Sequence, residues 1–180
     1  LAADVAKKLP YFKGKNFLLK CSERPEDYFM GQALVFPEKE AEAVLKPAYR
    51  VGPAPRALTD QVYARVKDQD EVTKKQYLDM NLWLPGDILL KADKMCMAHS
   101  LELRVPFLDK QVMEFAETIP TRYRIHGTNT KIVMRHAANK TLPDEWANRP
   151  KKGFPVPIRY WLREEKYYNL VKDYFTSDYA

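Results

Sequence analysis

Apolar residues recur along this chain at spacings of three and four positions, the period of an amphipathic helix. Pro and Gly stand between these stretches and predict many short helices with little strand. A proline-rich segment at residues 47–57 (PAYRVGPAPRA) predicts a loop between connecting helices in 1–57 and a larger helical part in 58–180. The predicted fold class is therefore all-α. The predicted helices cover residues 2–9, 15–21, 25–30, 38–45, 59–68, 71–83, 87–98, 110–118, 128–140, 157–165 and 167–175.

The predicted helix 87–98 has charged residues on two different faces. Asp87, Lys91 and Lys94 fall in one narrow sector when the helix is rotated by about 100° per residue. Asp93 lies on the opposite side, among apolar residues. A carboxylate buried among apolar side chains is costly unless a cation or a hydrogen-bond donor accompanies it. We therefore predict a partner for Asp93, and a structural ion pair or loop cap is favoured over a ligand role.

The segment 100–109 (SLELRVPFLD) alternates apolar and polar residues, the period of an extended segment with one buried face. The predicted buried face consists of Leu101, Leu103, Val105 and Phe107. Glu102 and Arg104 project together from the other face, and Arg104 is the predicted buried partner of Asp93.

Asp109 stands where the N-cap of the predicted helix 110–118 should stand. The buried stripe predicted to follow it consists of Val112, Phe115, Ala116 and Ile119. A buried salt bridge and a helix cap explain the charged residues of this region as well as catalysis does.

Lys131 lies in the first turn of the predicted helix 128–140, which follows Gly127. A cation there faces the positive end of the helix dipole, and a bound anion would offset this arrangement. Arg135, one turn later, would share the same face. Taken alone, Lys131 is better explained as a side chain that extends into water.

A basic loop occupies residues 148–157 (NRPKKGFPVP). Arg149, Lys151 and Lys152 supply three cations in four positions, and three prolines stiffen the segment. Stiffening lowers the conformational freedom that a loop loses on ordering, and Gly153 permits a close backbone approach. Such a loop suits the placing of a Lys on phosphate, and it also suits a plain basic surface.

Composition narrows the class of protein. The net charge of +6 over 180 residues allows an anionic partner, such as a nucleotide, a nucleic acid or an acidic domain. Cys21 and Cys96 are far apart in no metal-like spacing, which favours a reduced, cytoplasmic protein. The chain contains no run of about 18 apolar residues, so the sequence predicts no membrane span. The start LAADVAKKLP has neither an initiator Met nor a signal-peptide pattern, so we expect a fragment.

Three segments, in order, resemble the C-terminal half of the synthetase domain of glutamine-dependent asparagine synthetases. They are residues 84–109 (LPGDILLKADKMCMAHSLELRVPFLD), 127–135 (GTNTKIVMR) and 149–154 (RPKKGF); residues 9–19 (LPYFKGKNFLL) look like the connecting region of that family. The resemblance implies a multi-helix, C-terminal part of an α/β adenine-nucleotide-hydrolase-like synthetase domain whose sheet core is missing from these residues.

The family's reaction assigns expected roles. ATP adenylates the side-chain carboxylate of aspartate and releases pyrophosphate, and ammonia from a glutaminase domain then attacks the activated acyl group. The resemblance implies that Lys151 neutralises phosphate charge in adenylation, with Arg149 as a helper. Asp87 and Lys91 match positions that look close to the site. Lys131 and Arg104 are lower-ranked candidates, and no metal ligand is expected here.

The family's pyrophosphate-binding loop SGGxDS and its acidic GEGxDE segment are absent from these 180 residues, as is the catalytic Cys of the glutaminase domain. ATP and Mg²⁺ are therefore expected in the full-length enzyme, and neither is expected on this fragment, which should be inactive alone. The expected partners are the glutaminase domain and ATP-binding loop region of the same polypeptide, with aspartate, glutamine and ammonia as small molecules, and no nucleic acid or membrane.

Two alternatives remain open at this point. A β-lactam synthetase or another ATP-dependent amide-forming relative would share the adenylation machinery and differ in substrate residues. A basic helical module that binds nucleic acid would use the net charge together with eleven Tyr, eight Phe and three Trp. Against this second alternative, the cations are scattered and the aromatic residues mostly fall on apolar stripes.

Overall fold

The fold was obtained as a computed structural model, which describes residues 5, 9–10, 23–32, 34–153 and 156–177. The predicted helices 2–9 and 15–21 and the segment 9–19 fall almost wholly outside the described residues. The described part of the chain is mostly helical, which confirms the predicted helical fragment, with one short β-hairpin in addition. The α-helices are α1 (Pro25–Tyr28), α2 (Glu38–Val44), α3 (Pro55–Tyr63), α4 (Glu71–Asn81), α5 (Leu90–Met97), α6 (Lys110–Glu117), α7 (Thr121–Arg124), α8 (Ile132–Ala138), α9 (Asp144–Ala147), α10 (Ile158–Trp161) and α11 (Glu165–Phe175).

Shorter elements connect these helices. A π-helical turn (Leu84–Leu89) runs directly into α5, and 3₁₀ turns occur at Pro47–Tyr49, Ala64–Val66 and Pro106–Leu108. The strands β1 (Ile125–His126) and β2 (Asn129–Thr130) pair antiparallel, with Ile125 opposite Thr130. Two compact units result, Leu1–Lys131 and Ile132–Ala180.

Local sequence explains where several helices begin. Proline occupies the first position of α1 and of α3, where its missing N–H costs no hydrogen bond. Asp70 caps α4 by accepting from the amides of Val72 and Thr73. Asp109 caps α6 in the same way and accepts from the amide of Gln111 at 2.9 Å, which confirms its predicted capping role.

The predicted helix 128–140 is wrong at its start. Gly127 has a φ of +56°, a left-handed conformation that glycine adopts without strain, and it turns the chain between β1 and β2. The hairpin takes up residues that the apolar spacing assigned to the helix. Helix α8 therefore begins only at Ile132.

Among the described residues of the first unit, the buried core is small. Val62, Tyr63 and Leu78 are buried, and Phe29 and Tyr77 pack against them. The hydroxyl of Tyr63 donates to the carbonyl of Phe29 at 2.8 Å, and burial raises the pKa of Tyr63. Helices α3 and α4 therefore supply the centre of this unit.

The apolar faces predicted to be buried after residue 100 are largely exposed, and that prediction is wrong for the described chain. Leu101, Leu103, Val105, Phe107, Val112 and Phe115 are all exposed, whereas Ala116 and Ile119 of the predicted stripe are half-buried. The alternation and the helical stripe are present in the sequence, but no described element covers them. Among the described residues, no helix has the length and apolar character to cross a membrane.

Candidate functional site

Asp87 and Lys91 come together as their spacing predicts. Asp87 lies in the π-helical turn and Lys91 in α5, and the Lys91 ammonium is 3.2 Å from Oδ1 of Asp87. The indole N–H of Trp83 donates to Oδ2 of the same carboxylate at 3.1 Å. The Asp87 side chain is 44% exposed and that of Lys91 61% exposed. This carboxylate is thus oriented by two donors and still open to solvent.

The predicted buried pair between Asp93 and Arg104 is wrong. Arg104 instead pairs with Glu102, with 2.5 Å between Nη2 and Oε1, and the two side chains are 83% and 69% exposed. Asp93 is itself exposed on α5. Because the apolar face around Asp93 is not covered, its carboxylate stays hydrated and requires no buried cation.

Lys131 stands immediately before α8 rather than in its first turn, which corrects the sequence-based placement. Its φ is +58°, in the left-handed region that residues with a Cβ rarely adopt, and its side chain is exposed. The residue follows β2 directly. Lys131 therefore ends the hairpin and redirects the chain into the helix.

The basic loop follows α9 in the second unit. Arg149, Lys151 and Lys152 are exposed, and the Arg149 guanidinium lies 5.6 Å from the centroid of the Trp146 ring. Within the described ranges, no salt bridge involves any of these three cations. Phe154 and Pro155 of the same loop fall outside the described residues. The described part of the loop presents positive charge to solvent, which suits a multiply charged anion.

Arg135 of α8 holds the start of this loop. Its Nη1 donates to the carbonyl of Ala147 at 3.2 Å and to that of Arg149 at 3.1 Å. Asn148, between them, donates from its side-chain amide to Asn139 Oδ1 at 3.2 Å and to Asp144 Oδ1 at 2.6 Å. The three consecutive residues 147–149, which lead to Lys151, are therefore tied to α8, to Asn139 just after it and to α9.

An open cavity of about 690 Å³ lies in the first unit, with mostly apolar walls that include Met80, Trp83 and Met113. Arg124 lines its polar side and donates to Gln76 Oε1 and Thr73 Oγ1, each at 2.8 Å. These bonds tie the end of α7 to α4. Because Trp83 also donates a hydrogen bond to Asp87, one side chain both lines the cavity and orients the Asp87 carboxylate.

Two carboxylates near this cavity, those of Asp79 and Asp70, have shifted pKa values. Burial raises the pKa of Asp79, although the backbone amide of Gln32 donates to it at 3.0 Å. Burial also acts to raise the pKa of Asp70, but hydrogen bonds from the hydroxyls of Thr73 and Thr121 and from backbone amides outweigh it, so that pKa is lowered. No cluster of His, Cys, Asp and Glu suited to a metal ion occurs in the part of the chain that the structure describes.

The sequence did not predict the role of Trp83 or the bonds from Arg135 to the carbonyls of Ala147 and Arg149, which we call the Arg135 clamp. Trp83 could have been found, because it precedes Asp87 by one helical turn and positions four apart face each other on a helix. The sequence pattern predicts an anion as the partner of Arg135, and not its actual acceptors. Those acceptors are backbone carbonyls, which every residue carries, so no sequence signal marks them.

Comparison with known proteins identifies the family. The family model described as asparagine synthase matches residues 7–179. The chain belongs to the asparagine synthase family. Its three matching segments include the turn that carries Asp87 and the loop that carries Lys151, so both groups of candidate residues lie in the matched region.

Individual relatives agree with this assignment. Asparagine synthetase (glutamine-hydrolyzing) 1 of Bacillus subtilis is 42% identical over 153 residues, which cover 85% of this chain and 24% of that protein. A relative from Mycobacterium bovis is 43% identical over 160 residues, which cover 88% of this chain and 24% of that protein. The chain thus spans about a quarter of the length of the curated relatives it matches. No solved structure gave a significant match.

Proposed function

We propose that the protein containing this chain is a glutamine-dependent asparagine synthetase, and that the chain is the C-terminal helical part of its synthetase domain. In this reaction ATP adenylates the side-chain carboxylate of aspartate, with release of pyrophosphate. Ammonia derived from glutamine then displaces AMP to form the amide. The domain as a whole would be an α/β domain of the adenine-nucleotide-hydrolase type, with its sheet outside these residues.

The observation that carries this proposal is the similarity to a named glutamine-hydrolyzing asparagine synthetase, at 42% identity over 85% of the chain. The candidate loop is consistent with that chemistry. An anionic carboxylate must approach a polyphosphate, and further negative charge gathers on the departing pyrophosphate. Preorganised cations stabilise such charge where water would have to reorganise.

The described residues fit part of a polyphosphate site. Lys151 and Arg149 are exposed cations in the first half of the basic loop, whose start is tied to α8 by Arg135. Lys151 is the proposed group that meets the charge on pyrophosphate, and Arg149 is its proposed helper. ATP would supply the activating phosphates and Mg²⁺ would neutralise part of their charge. In our proposal the carboxylate ligands for Mg²⁺ come from other parts of the polypeptide.

The remaining candidates have lesser proposed roles. Asp87 and Lys91 are proposed, as in the family resemblance, to be close to the nucleotide, where they would act as one oriented pair. Lys131 is an exposed cation that would add positive potential, and Arg104 would add less, because it pairs with Glu102. Residues 1–57 would connect the helical part 58–180 to the rest of the domain. The chain alone would be inactive, because the phosphate-binding loop SGGxDS is not among its residues.

The second candidate function is a β-lactam synthetase-like or other amide-forming activity. It would use the same adenylation step and differ in the acid and amine that are joined. The nucleic-acid-binding alternative is not carried forward, because a family of asparagine synthases matches residues 7–179.

The test is an assay of the full-length protein with ATP and Mg²⁺. Pyrophosphate release that depends on aspartate, with asparagine formed from glutamine or ammonia, would support the proposal. Release that depends on a different carboxylic acid, with aspartate inert, would favour the second candidate. Protein that hydrolyses glutamine yet releases no pyrophosphate with any acid would contradict both.

A further inference from the structure

Arg135 has an arrangement that the proposed chemistry does not by itself require. Arg135 is half-buried on α8, whereas Arg149 is exposed. One nitrogen, Nη1, donates to two carbonyls, those of Ala147 and Arg149, which lie 12 and 14 residues further along the chain. A guanidinium is a rigid fork of donors, so such contacts fix direction as well as distance.

The two carbonyls lie at the point where α9 ends and the basic loop begins. The last carbonyls of a helix have no partner within the helix, and Ala147 is the last residue of α9. Arg135 satisfies that carbonyl and the one two residues later. Pro150 follows at once, and its ring fixes φ. The direction of the backbone into Lys151 is thus set by one side chain and one ring.

We propose that Arg135 is a positioning residue for Lys151. This proposal rests on the proposed function, in which Lys151 meets the charge on pyrophosphate. Arg135 holds the two carbonyls so that the Lys151 ammonium is presented in a narrow range of positions before ATP binds. In this proposal Arg135 acts on the loop through the bonds from Nη1 to the two carbonyls, and not through a contact with phosphate. A misplacement of about 1 Å can cost two orders of magnitude in rate, so a residue that only positions Lys151 can still have a large effect on the rate.

The test is a double-mutant cycle in the full-length synthetase, read by aspartate-dependent pyrophosphate release. Arg135→Met keeps the apolar stem and removes the donors. We expect it to lower kcat by about tenfold or more, with the KM for ATP changed less than about twofold. In the Lys151→Ala background the same change should add less than about twofold, because a clamp has no effect once its target is gone. Arg135→Lys, which keeps a charged donor, should recover part of the loss.

Hydrogen exchange gives a second reading that needs no activity. Arg135→Met should speed exchange of the amides in residues 148–153, whereas Arg159→Met, at an exposed arginine of the same unit, should leave it unchanged. If kcat of the double variant fell by the full product of the losses in Arg135→Met and Lys151→Ala, the proposal would be overturned. A rise in the KM for ATP at constant kcat in Arg135→Met would also overturn it. Unchanged exchange would overturn the clamp independently. A wild-type protein that releases no pyrophosphate would instead overturn the proposed function.

Discussion

The indole N–H of Trp83 donates a hydrogen bond of 3.1 Å to Oδ2 of Asp87, four residues further along the chain. From the opposite direction along the chain, the ammonium of Lys91 approaches Oδ1 of the same carboxylate at 3.2 Å. Both donors are one helical turn from Asp87, so a single helical segment carries the whole arrangement. Among the described residues, the hydrogen bonds that orient this carboxylate therefore both come from its own helical segment.

This relationship makes Trp83 testable as a support for Asp87. Trp83→Phe keeps an aromatic ring in the cavity wall and removes the donor. We expect aspartate-dependent pyrophosphate release to fall about threefold to tenfold, since a hydrogen bond to a charged group is worth about 1.5–3 kcal/mol at most and Asp87 is half-exposed. Asp87→Asn should lose more. Trp161→Phe, the same change in the other unit, should leave the rate unaltered, and equal rates for all three variants would argue against a role for the pair.

Lys151 should matter far more than its neighbour Lys152. An interaction that grows as charge moves onto pyrophosphate lowers the barrier more than it tightens ground-state binding. Lys151→Ala should therefore slow adenylation by about 100-fold or more in the full-length enzyme. Lys152→Ala should change little, and glutamine hydrolysis should survive both substitutions. If pyrophosphate release showed equal, mild losses in the two variants, the loop would supply only diffuse positive potential.

The 180-residue chain by itself should bind ATP weakly and form no asparagine, because the phosphate-binding loop of the family is not among its residues. Calorimetric titration with ATP and Mg²⁺ is the direct measurement. Stoichiometric binding of ATP with a Kd of about 1 µM would contradict the expectation. Circular dichroism of the same sample should show strong helical minima, and their absence would contradict the helical fold.

The ion pair between Glu26 and Lys74 should make the free energy of unfolding depend on pH. Their charged atoms are 2.6 Å apart, and the side chains are only 21% and 13% exposed. The hydrogen bond from Lys74 lowers the pKa of Glu26 in the folded chain. The unfolded chain then binds this proton more readily, so the stabilisation is fully present above the unfolded pKa and is lost as the pH falls through the folded pKa.

Thermal unfolding between about pH 3 and pH 7 measures this contribution. Glu26→Gln should lower the free energy of unfolding at neutral pH by about 1.5–3 kcal/mol and flatten the acid limb of the curve. Glu42→Gln, at an exposed position on α2, is the matched control and should leave the curve unchanged. An acid limb of the same slope in both variants would mean that the pair contributes nothing.

Asp93→Asn should have almost no effect on stability. The residue is exposed on α5, and substitutions at such positions usually stay within about 0.5 kcal/mol. The sequence pattern taken alone predicts the opposite, a loss of about 3–5 kcal/mol from a broken buried pair. The midpoint of thermal unfolding separates the two outcomes, and a large drop would show that Asp93 is covered in solution.

Interactions within one helical turn could be predicted from the sequence alone. Asp109 caps α6 because its carboxylate reaches amides two and three residues ahead, and Asp87 meets Lys91 because positions four apart share a face. The family could also be predicted from the sequence alone, because the segments that resemble it occur in the family's order and the last of them contains Lys151. Helix spacing, capping and motif order all depend on neighbours along the chain, which the sequence states directly.

Only the tertiary structure decided which apolar faces are covered and which backbone groups are bound. Asp93 lies on an apolar face that no described element covers, so its carboxylate is hydrated and Arg104 pairs with Glu102. Arg135 binds two carbonyls that are 12 and 14 residues away. Burial depends on what packs against a face, and backbone carbonyls are identical at every position. Neither property is written in the order of side chains, so both emerge only when the chain is folded.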